Sequence, residues 1–291
     1  MKKYLVVGLI ALIFSAGSVL AKKPDLTPGG RVKVTIPAHA VKIAPGVFSL
    51  GTARDKGRVV EGYAFVYYKK GFGKGGKPSK CNNDGFCGPG ENSKNCPGDC
   101  GGEPDPGSSC YGFLARGAKW KTVEDYIVDP TNTRGLDETF VRDNLATDIA
   151  KWEAAAGVNI LGDETAGTVD GADLDNPDDK NEVYFGSIAE PGAIAITIVW
   201  GIFGGPPHGR KLVEWDQVYD EVDFDWSATE EAGKMDFESI ATHELGHSVG
   251  LDDLYDGSCS EQTMYGYATE GETKKRTLEA GDIAGVQELY K

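Results

Sequence analysis

The chain reads as an α+β protein, and three observations carry that reading. Residues 110–291 set alternating polar and apolar runs, at 120–128, 182–185 and 212–219, among stretches of helical spacing at 137–157 and 236–249. A run at 193–200, AIAITIVW, is almost wholly apolar, which marks a strand buried on both faces of a sheet. Residues 22–70 add further short strands with no helical pattern among them. The expected architecture is a twisted mixed sheet packed on a helix, with a second helix behind it.

The 291 residues carry a formal net charge of −15 and are 40% hydrophobic. That allows one domain of ordinary size with a normal core and a smaller companion. The acidity argues against nucleic acid as a partner and suits bound calcium.

From the start, residues 1–21 have the form of a signal peptide. Lys2 and Lys3 precede an apolar stretch from Tyr4 to Phe14, and Val19-Leu20-Ala21 is a small-residue cleavage site. The apolar stretch is short for a membrane span, and no later segment is long and apolar enough to cross a bilayer. The mature chain is therefore expected to be secreted and not inserted in a membrane.

Residues 22–70 are expected to form a small β unit. The run 31–36 alternates, and the runs 47–50 and 58–68 flank Asp55-Lys56-Gly57, which has the look of a hairpin turn. Two roles stand open for this unit. It is either a pro-segment that shields the active site until cut, or an extension packed on the larger domain. Residues 71–80 are Gly/Lys-rich and read as an exposed linker open to proteolysis.

Residues 81–100 hold four cysteines in a short run, in a chain expected outside the cell. That reads as a disulfide-stapled knob. Asp84, Glu91 and Asp99 supply hard oxygen ligands of the kind calcium prefers. A Gly/Pro/Ser linker, 101–109, follows. If the knob closes on itself, Cys110 and Cys259 are left to pair with each other, which would tie the entrance of the 110–291 domain to a loop near its end.

Within that domain Asp137 can cap a helix whose apolar positions Phe140, Val141, Leu145, Ile149 and Trp152 recur at helical spacing until Gly157 stops it. Residues 163–179 are a long acidic loop, read as solvated first and as a calcium ligand second. Asp236 caps the next helix, 237–249.

That helix carries HELGHSVGLDD, residues 243–253. His243 and His247 are four apart, ~40° around a helix axis and about one turn along it, so both imidazoles can hold one metal ion. Glu244 lies ~100° round from His243, placed to hydrogen-bond a water on that metal rather than to bind it. Gly250 can end the helix in a left-handed turn and send the chain back toward the metal. The other two histidines, His39 and His208, lie in the N-terminal unit and in a Gly/Pro loop, so the third ligand comes from a carboxylate. Asp253, Asp252, Glu279 and Asp282 are the candidates.

HELGHSVGLDD resembles the extended zinc motif of the metzincins, with Asp253 in the place of the last histidine. Residues 262–267, QTMYGY, resemble the methionine turn of the same group. Residues 212–219 and 278–290 resemble the strand before the active-site helix and the closing helix of the matrixins. The matrixin cysteine-switch sequence is absent.

The resemblance implies a metzincin-like catalytic domain over 110–291 and a zinc-dependent endopeptidase. His243, His247 and Asp253 would hold the metal, and Glu244 would act as general base toward its water. Met264 would form an apolar floor, and Tyr265 and Tyr267 would line the primary specificity pocket. In some metzincins a tyrosine two after the methionine assists the oxyanion; here that place is Gly266. The partner is then a protein or peptide lying extended along a sheet edge. The rival reading is a secreted calcium-binding or surface-associated protein with a vestigial fold of this kind. Glu244, which structure alone does not require, argues against it.

Overall fold

A computed structural model of the chain describes residues 33–73 and 110–291. The signal peptide at 1–21, the knob at 81–100 with Asp84, Glu91 and Asp99, the 101–109 linker and most of the 71–80 linker lie outside the described residues.

The architecture is α+β, built on one mixed sheet. Its strands in chain order are β1 (Val41–Ala44), β2 (Val47–Asp55), β3 (Arg58–Lys69), β4 (Ile127–Asp129), β5 (Glu182–Gly186), β6 (Ala193–Ile202) and β7 (Lys211–Asp220). A two-residue pair, β8 (Trp226–Ser227) with β9 (Met235–Asp236), stands apart, and β10 (Tyr267–Ala268) joins the main sheet late. The helices are α1 (Glu138–Ala156), α2 (Phe237–Ser248) and α3 (Ala280–Tyr290).

The spatial order is β1-β2-β3-β6-β7-β5-β4. β4, β5 and β7 run parallel, while β6 is antiparallel to β7 on one side and to β3 on the other. β10 pairs parallel with β3.

The same order runs through the N-terminal β unit. β3 pairs with β6 over residues 61–68, so its described strands extend the same sheet as the 110–291 domain. The hairpin between β2 and β3 turns at Lys56 and Gly57, both at positive φ, the geometry of a tight two-residue turn. Gly62 is required where β3 crosses β6, because a Cβ there would lie 2.6 Å from the Trp200 ring.

The expected strand at 120–128 shrinks to β4. Trp120 leaves the sheet line because its indole N–H donates to the Ser248 carbonyl at 2.7 Å, at the end of α2. Residues 31–36 contribute one bridge among the described residues, Val34 with Ile188.

Asp137 caps α1 by accepting from the Phe140 N–H at 2.9 Å, and Gly157 ends it at φ 73°. Asp236 caps α2 in the same way, accepting from the Ser239 N–H at 2.9 Å. The three helices pack on one face of the sheet, where Trp152, Trp215, Phe237, Leu245, Met264 and Val286 share one core. The opposite face buries Val60, Val66, Ile196, Trp200 and Val218, against which Val169, Ala172 and Leu174 pack. The acidic loop therefore covers a sheet face with its apolar residues, while Asp163, Asp170, Asp175, Asp178 and Asp179 stay exposed to solvent. Its Asp173 carbonyl accepts from the Trp200 indole at 2.7 Å.

Candidate active site

The site forms where α2 lies under β6 and β3. His243 and His247 leave the same side of α2 and both are buried. The chain reverses at Gly250, φ 107°, and the Leu251 N–H returns to the Gly246 carbonyl at 2.9 Å. A Cβ at Gly250 would crowd Leu289 and the Ala118 carbonyl, so the reversal needs glycine twice over, for its φ and for space.

The reversal brings Asp253 to the histidines. Its Oδ1 is 3.3 Å from His243 Nε2 and 3.6 Å from His247 Nε2. Each imidazole is fixed from behind. His243 Nδ1 bonds the Thr263 carbonyl at 2.7 Å, and His247 Nδ1 bonds the Leu251 carbonyl at 2.9 Å. A carbonyl only accepts, so Nδ1 carries the proton in both rings and Nε2 presents a lone pair inward.

Burial pushes His247 down to about 4, against the opposing pull of Asp253, so its ring is neutral near pH 7. Burial also works against ionising Asp253, but His247, His243 and Tyr255 outweigh it and hold the carboxyl below its ordinary value.

These residues fit zinc. His243 Nε2 and Asp253 Oδ1 are buried with no hydrogen-bond partner, an arrangement that costs free energy unless something answers both. The three inward atoms lie within 4.8 Å of one another. Ligands ~2.1 Å from one tetrahedral zinc stand about 3.3–3.5 Å apart, close to the two separations above. Asp252, the alternative, is not among the converging groups; its N–H donates to the Gly112 carbonyl at 3.1 Å. Asp282 instead binds the methionine turn to α3, accepting from the Thr263 and Met264 N–H groups at 2.8 and 3.1 Å.

Glu244 projects toward β6. The Thr197 hydroxyl donates to its Oε2, while Oε1 is buried without a partner. Burial pushes the Glu244 carboxyl well above its ordinary value; the Thr197 bond opposes this and Asp253 adds to it.

Met264 packs directly beneath the motif. A Cβ on Gly246 would stand 2.1 Å from Met264 Sδ, so the glycine between the histidines is what lets the methionine turn approach. Tyr265 and Tyr267 follow, half-buried, and their carbonyls accept from Lys275 Nζ at 2.8 and 2.5 Å. Cys110 and Cys259 form a disulfide with Cα atoms 5.4 Å apart.

Several neighbours carry no sequence signal. Tyr255 donates to Asp253 Oδ2 at 2.8 Å. The Tyr67 ring lies flat on His243, centroids 3.7 Å apart at 6°, and Phe65 stacks on His247 at 4.4 Å. Thr197 and Lys275 belong with them. No spacing rule links residue 67 to residue 243; the sheet order makes them neighbours.

A second carboxylate cluster, Asp173, Glu214 and Asp216, lies at the start of β7. Glu214 Oε1 is buried without a partner there. Glu214 and Asp216 were not among the sequence candidates.

Comparison with known proteins places the likeness in the second half of the chain. Residues 209–291 match the family model described as matrixin. Metalloendoproteinase 1-MMP of Arabidopsis thaliana is 40% identical over 86 residues, which are 29% of this chain and 22% of that protein. Matrilysin of Rattus norvegicus is 36% identical over 75 residues, 26% of each chain. The chain thus spans about a quarter of the length of these curated relatives. Across that region it resembles the matrixins, and the α+β fold agrees with a matrixin catalytic domain.

Proposed function

We propose that the protein is a zinc-dependent endopeptidase acting outside the cell. The observation that supports this most is the convergence of three buried, inward-facing ligand atoms beside a glutamate with one unpaired oxygen. His243 and His247 would hold zinc through Nε2 and Asp253 through Oδ1. Zinc in such a site acts as a Lewis acid toward the scissile carbonyl and makes water a stronger acid.

The chain's own groups supply the rest. Glu244 Oε1 takes the proton of the attacking water and returns it to the amine that leaves as the C–N bond breaks. Thr197 holds the other oxygen, so the carboxylate keeps its aim through both transfers. The carbonyls behind each imidazole fix tautomer and ring angle. Met264 and Gly246 form the apolar floor. A vestigial, merely structural site would gain nothing from burying Glu244 half-paired.

Extracellular action rests on the signal-peptide form of residues 1–21 and on the Cys110–Cys259 disulfide. Among the described residues no helix is long and apolar enough to cross a membrane. We also assign calcium to this reading, at the Asp173, Glu214 and Asp216 carboxylates.

The test is hydrolysis of an unfolded protein by zinc-loaded material, with and without a chelator, alongside Glu244→Ala. The variant should keep its zinc and lose ~10²–10⁴ in rate. A variant that sheds zinc, or one that turns over like the wild type, refutes the assignment of Glu244.

A further inference from the structure

An extended peptide at this site needs two things: the edge of β6 above Glu244, and a side-chain pocket beside the metal ligands. β3 takes both. It runs antiparallel along β6, with Phe65 opposite Thr197, the residue that holds Glu244. On its other edge β3 pairs with β2 over residues 58–65 and with β10 beyond, Tyr68 opposite Tyr267, so it lies between β6 and the chain after the methionine turn. Phe65 and Tyr67 lie flat on the two histidines. His243, Glu244 and His247 are buried as a result, and no second extended chain can pair with β6 while β3 stays in place.

The pocket that receives Tyr67 has an unusual end. Lys275 is fully buried there, its amine 4.9 Å from the centre of the Tyr67 ring. An ammonium has three N–H donors. Two go to the Tyr265 and Tyr267 carbonyls, and the third goes to the Tyr67 hydroxyl. That hydroxyl in turn donates to the Tyr265 carbonyl at 3.4 Å. Glu272 Oε1, 3.7 Å away, is a charge neighbour rather than a hydrogen-bond partner. Removing the hydroxyl would leave a charged donor buried and unanswered, which costs far more than the hydrogen bond itself contributes. Sites built around a substrate hydroxyl reject the analogue lacking it for this reason.

We propose that β3 occupies the substrate groove as an internal, substrate-like strand, and that Lys275 makes the pocket filled by Tyr67 select tyrosine over phenylalanine in substrates. The proposal rests on the peptidase reading for the word substrate, but groove occupancy and pocket selectivity can be measured as binding alone.

The test uses the full-length, zinc-loaded protein. Phe65→Gly/Tyr67→Gly should empty the groove. Binding is read by fluorescence anisotropy with a labelled peptide copying residues 62–69, on a Glu244→Gln background so that nothing is cut. The double variant should bind this peptide and the protein with native β3 should not, because a tethered strand competes at an effective concentration of order mM. Phenylalanine in the peptide at the place of Tyr67 should weaken binding by at least about 100-fold. Lys275→Met should erase that difference.

On the Glu244 background, hydrolysis of an unfolded protein by the double variant should exceed wild type by about tenfold or more, with tyrosine recurring at the cut sites. Equal peptide binding with and without native β3, or indifference to the hydroxyl, overturns the proposal even if hydrolysis occurs. Selective binding without hydrolysis upholds it and instead defeats the peptidase reading.

Should the double variant not fold, Tyr67→Phe replaces it, read by amide hydrogen exchange over residues 62–69. Faster exchange confined to that strand is expected. Unchanged exchange shows that the Lys275 contact does not hold the strand and overturns the proposal.

Discussion

The Tyr255 hydroxyl donates to Asp253 Oδ2 at 2.8 Å, which leaves Oδ1 as the oxygen turned toward His243 and His247. The same hydroxyl lies against the Pro45 carbonyl, in the turn between β1 and β2. The carboxylate is therefore aimed by a residue two positions along its own loop, and that residue is braced by the N-terminal strands. Groups that orient a metal ligand typically matter 10–100-fold in metal affinity. Tyr255→Phe should lower zinc affinity by about that factor in chelator competition. Asp253→Ala should lose zinc, while Asp252→Ala should keep it. Zinc bound as tightly by Tyr255→Phe as by the wild type would remove the orienting role.

Thr197 offers a cleaner separation of chemistry from metal binding. It sits on β6 and its hydroxyl bonds Glu244 rather than a metal ligand. Thr197→Val preserves shape and removes the donor. Zinc content should stay stoichiometric while kcat falls by roughly tenfold, since general-base catalysis depends on geometry before pKa. Steady-state kinetics with metal analysis on the same sample decides it, and a loss confined to KM would contradict the positioning role.

Much of the second half of the fold was legible in the sequence because its signals are local. Asp137 and Asp236 each stand where a helix begins and accept from a backbone N–H within one turn. Gly157 and Gly250 stand where the chain must take positive φ. The spacing of His243 and His247 is likewise a property of one helix. What escaped was non-local. The strand pattern of β3 does not tell which strand it pairs with, so on sequence alone two roles stand open for residues 22–70, a shielding pro-segment or an extension packed on the larger domain. Trp120 alternates like a strand residue, yet its N–H and indole bond the Tyr290 hydroxyl and the Ser248 carbonyl instead of a neighbouring strand. Tyr67, Tyr255 and Lys275 reach the site through sheet order and a loop reversal, neither of which leaves a periodic trace.

Burial lowers Lys275 to about 8, against the raising influence of Glu272. The folded value lies below the ordinary value of 10.5, so the fold disfavours the charged amine. Below about 8 that penalty is fully present. Between about 8 and 10.5 the unfolded chain holds the proton and the folded chain does not, so stability from this group rises with pH. At ~1.36 kcal/mol per unit the full change is of order 3 kcal/mol. Urea denaturation of wild type and Lys275→Met across this range checks it. The wild-type curve should gain on the variant as pH rises; a constant gap would mean that Lys275 titrates as it does in water.

The carboxylates of Asp173, Glu214 and Asp216 predict a response to calcium that does not involve the zinc residues. Their oxygens gather within 4.8 Å, and Glu214 Oε1 is buried without a partner. Burial and mutual repulsion raise all three above ordinary carboxylates. The Asp173 and Glu182 N–H groups donate to Asp216, and the Asp179 N–H to Glu214, so the cluster also fixes the acidic loop to β7. A dication there would answer the unpaired oxygen, offset the repulsion and clamp the loop over the sheet face it covers. Calcium added to chelator-treated protein should raise Tm, by an amount that grows with concentration as a folded-state ligand requires; at 100 times Kd the gain is about 2.7 kcal/mol. Glu214→Gln keeps the shape and an acceptor oxygen for the Asp179 N–H while removing one charge. The variant should melt higher than the metal-free wild type and ignore calcium. A wild type whose melting is indifferent to calcium, or a variant that still responds, would place any calcium site elsewhere in the chain.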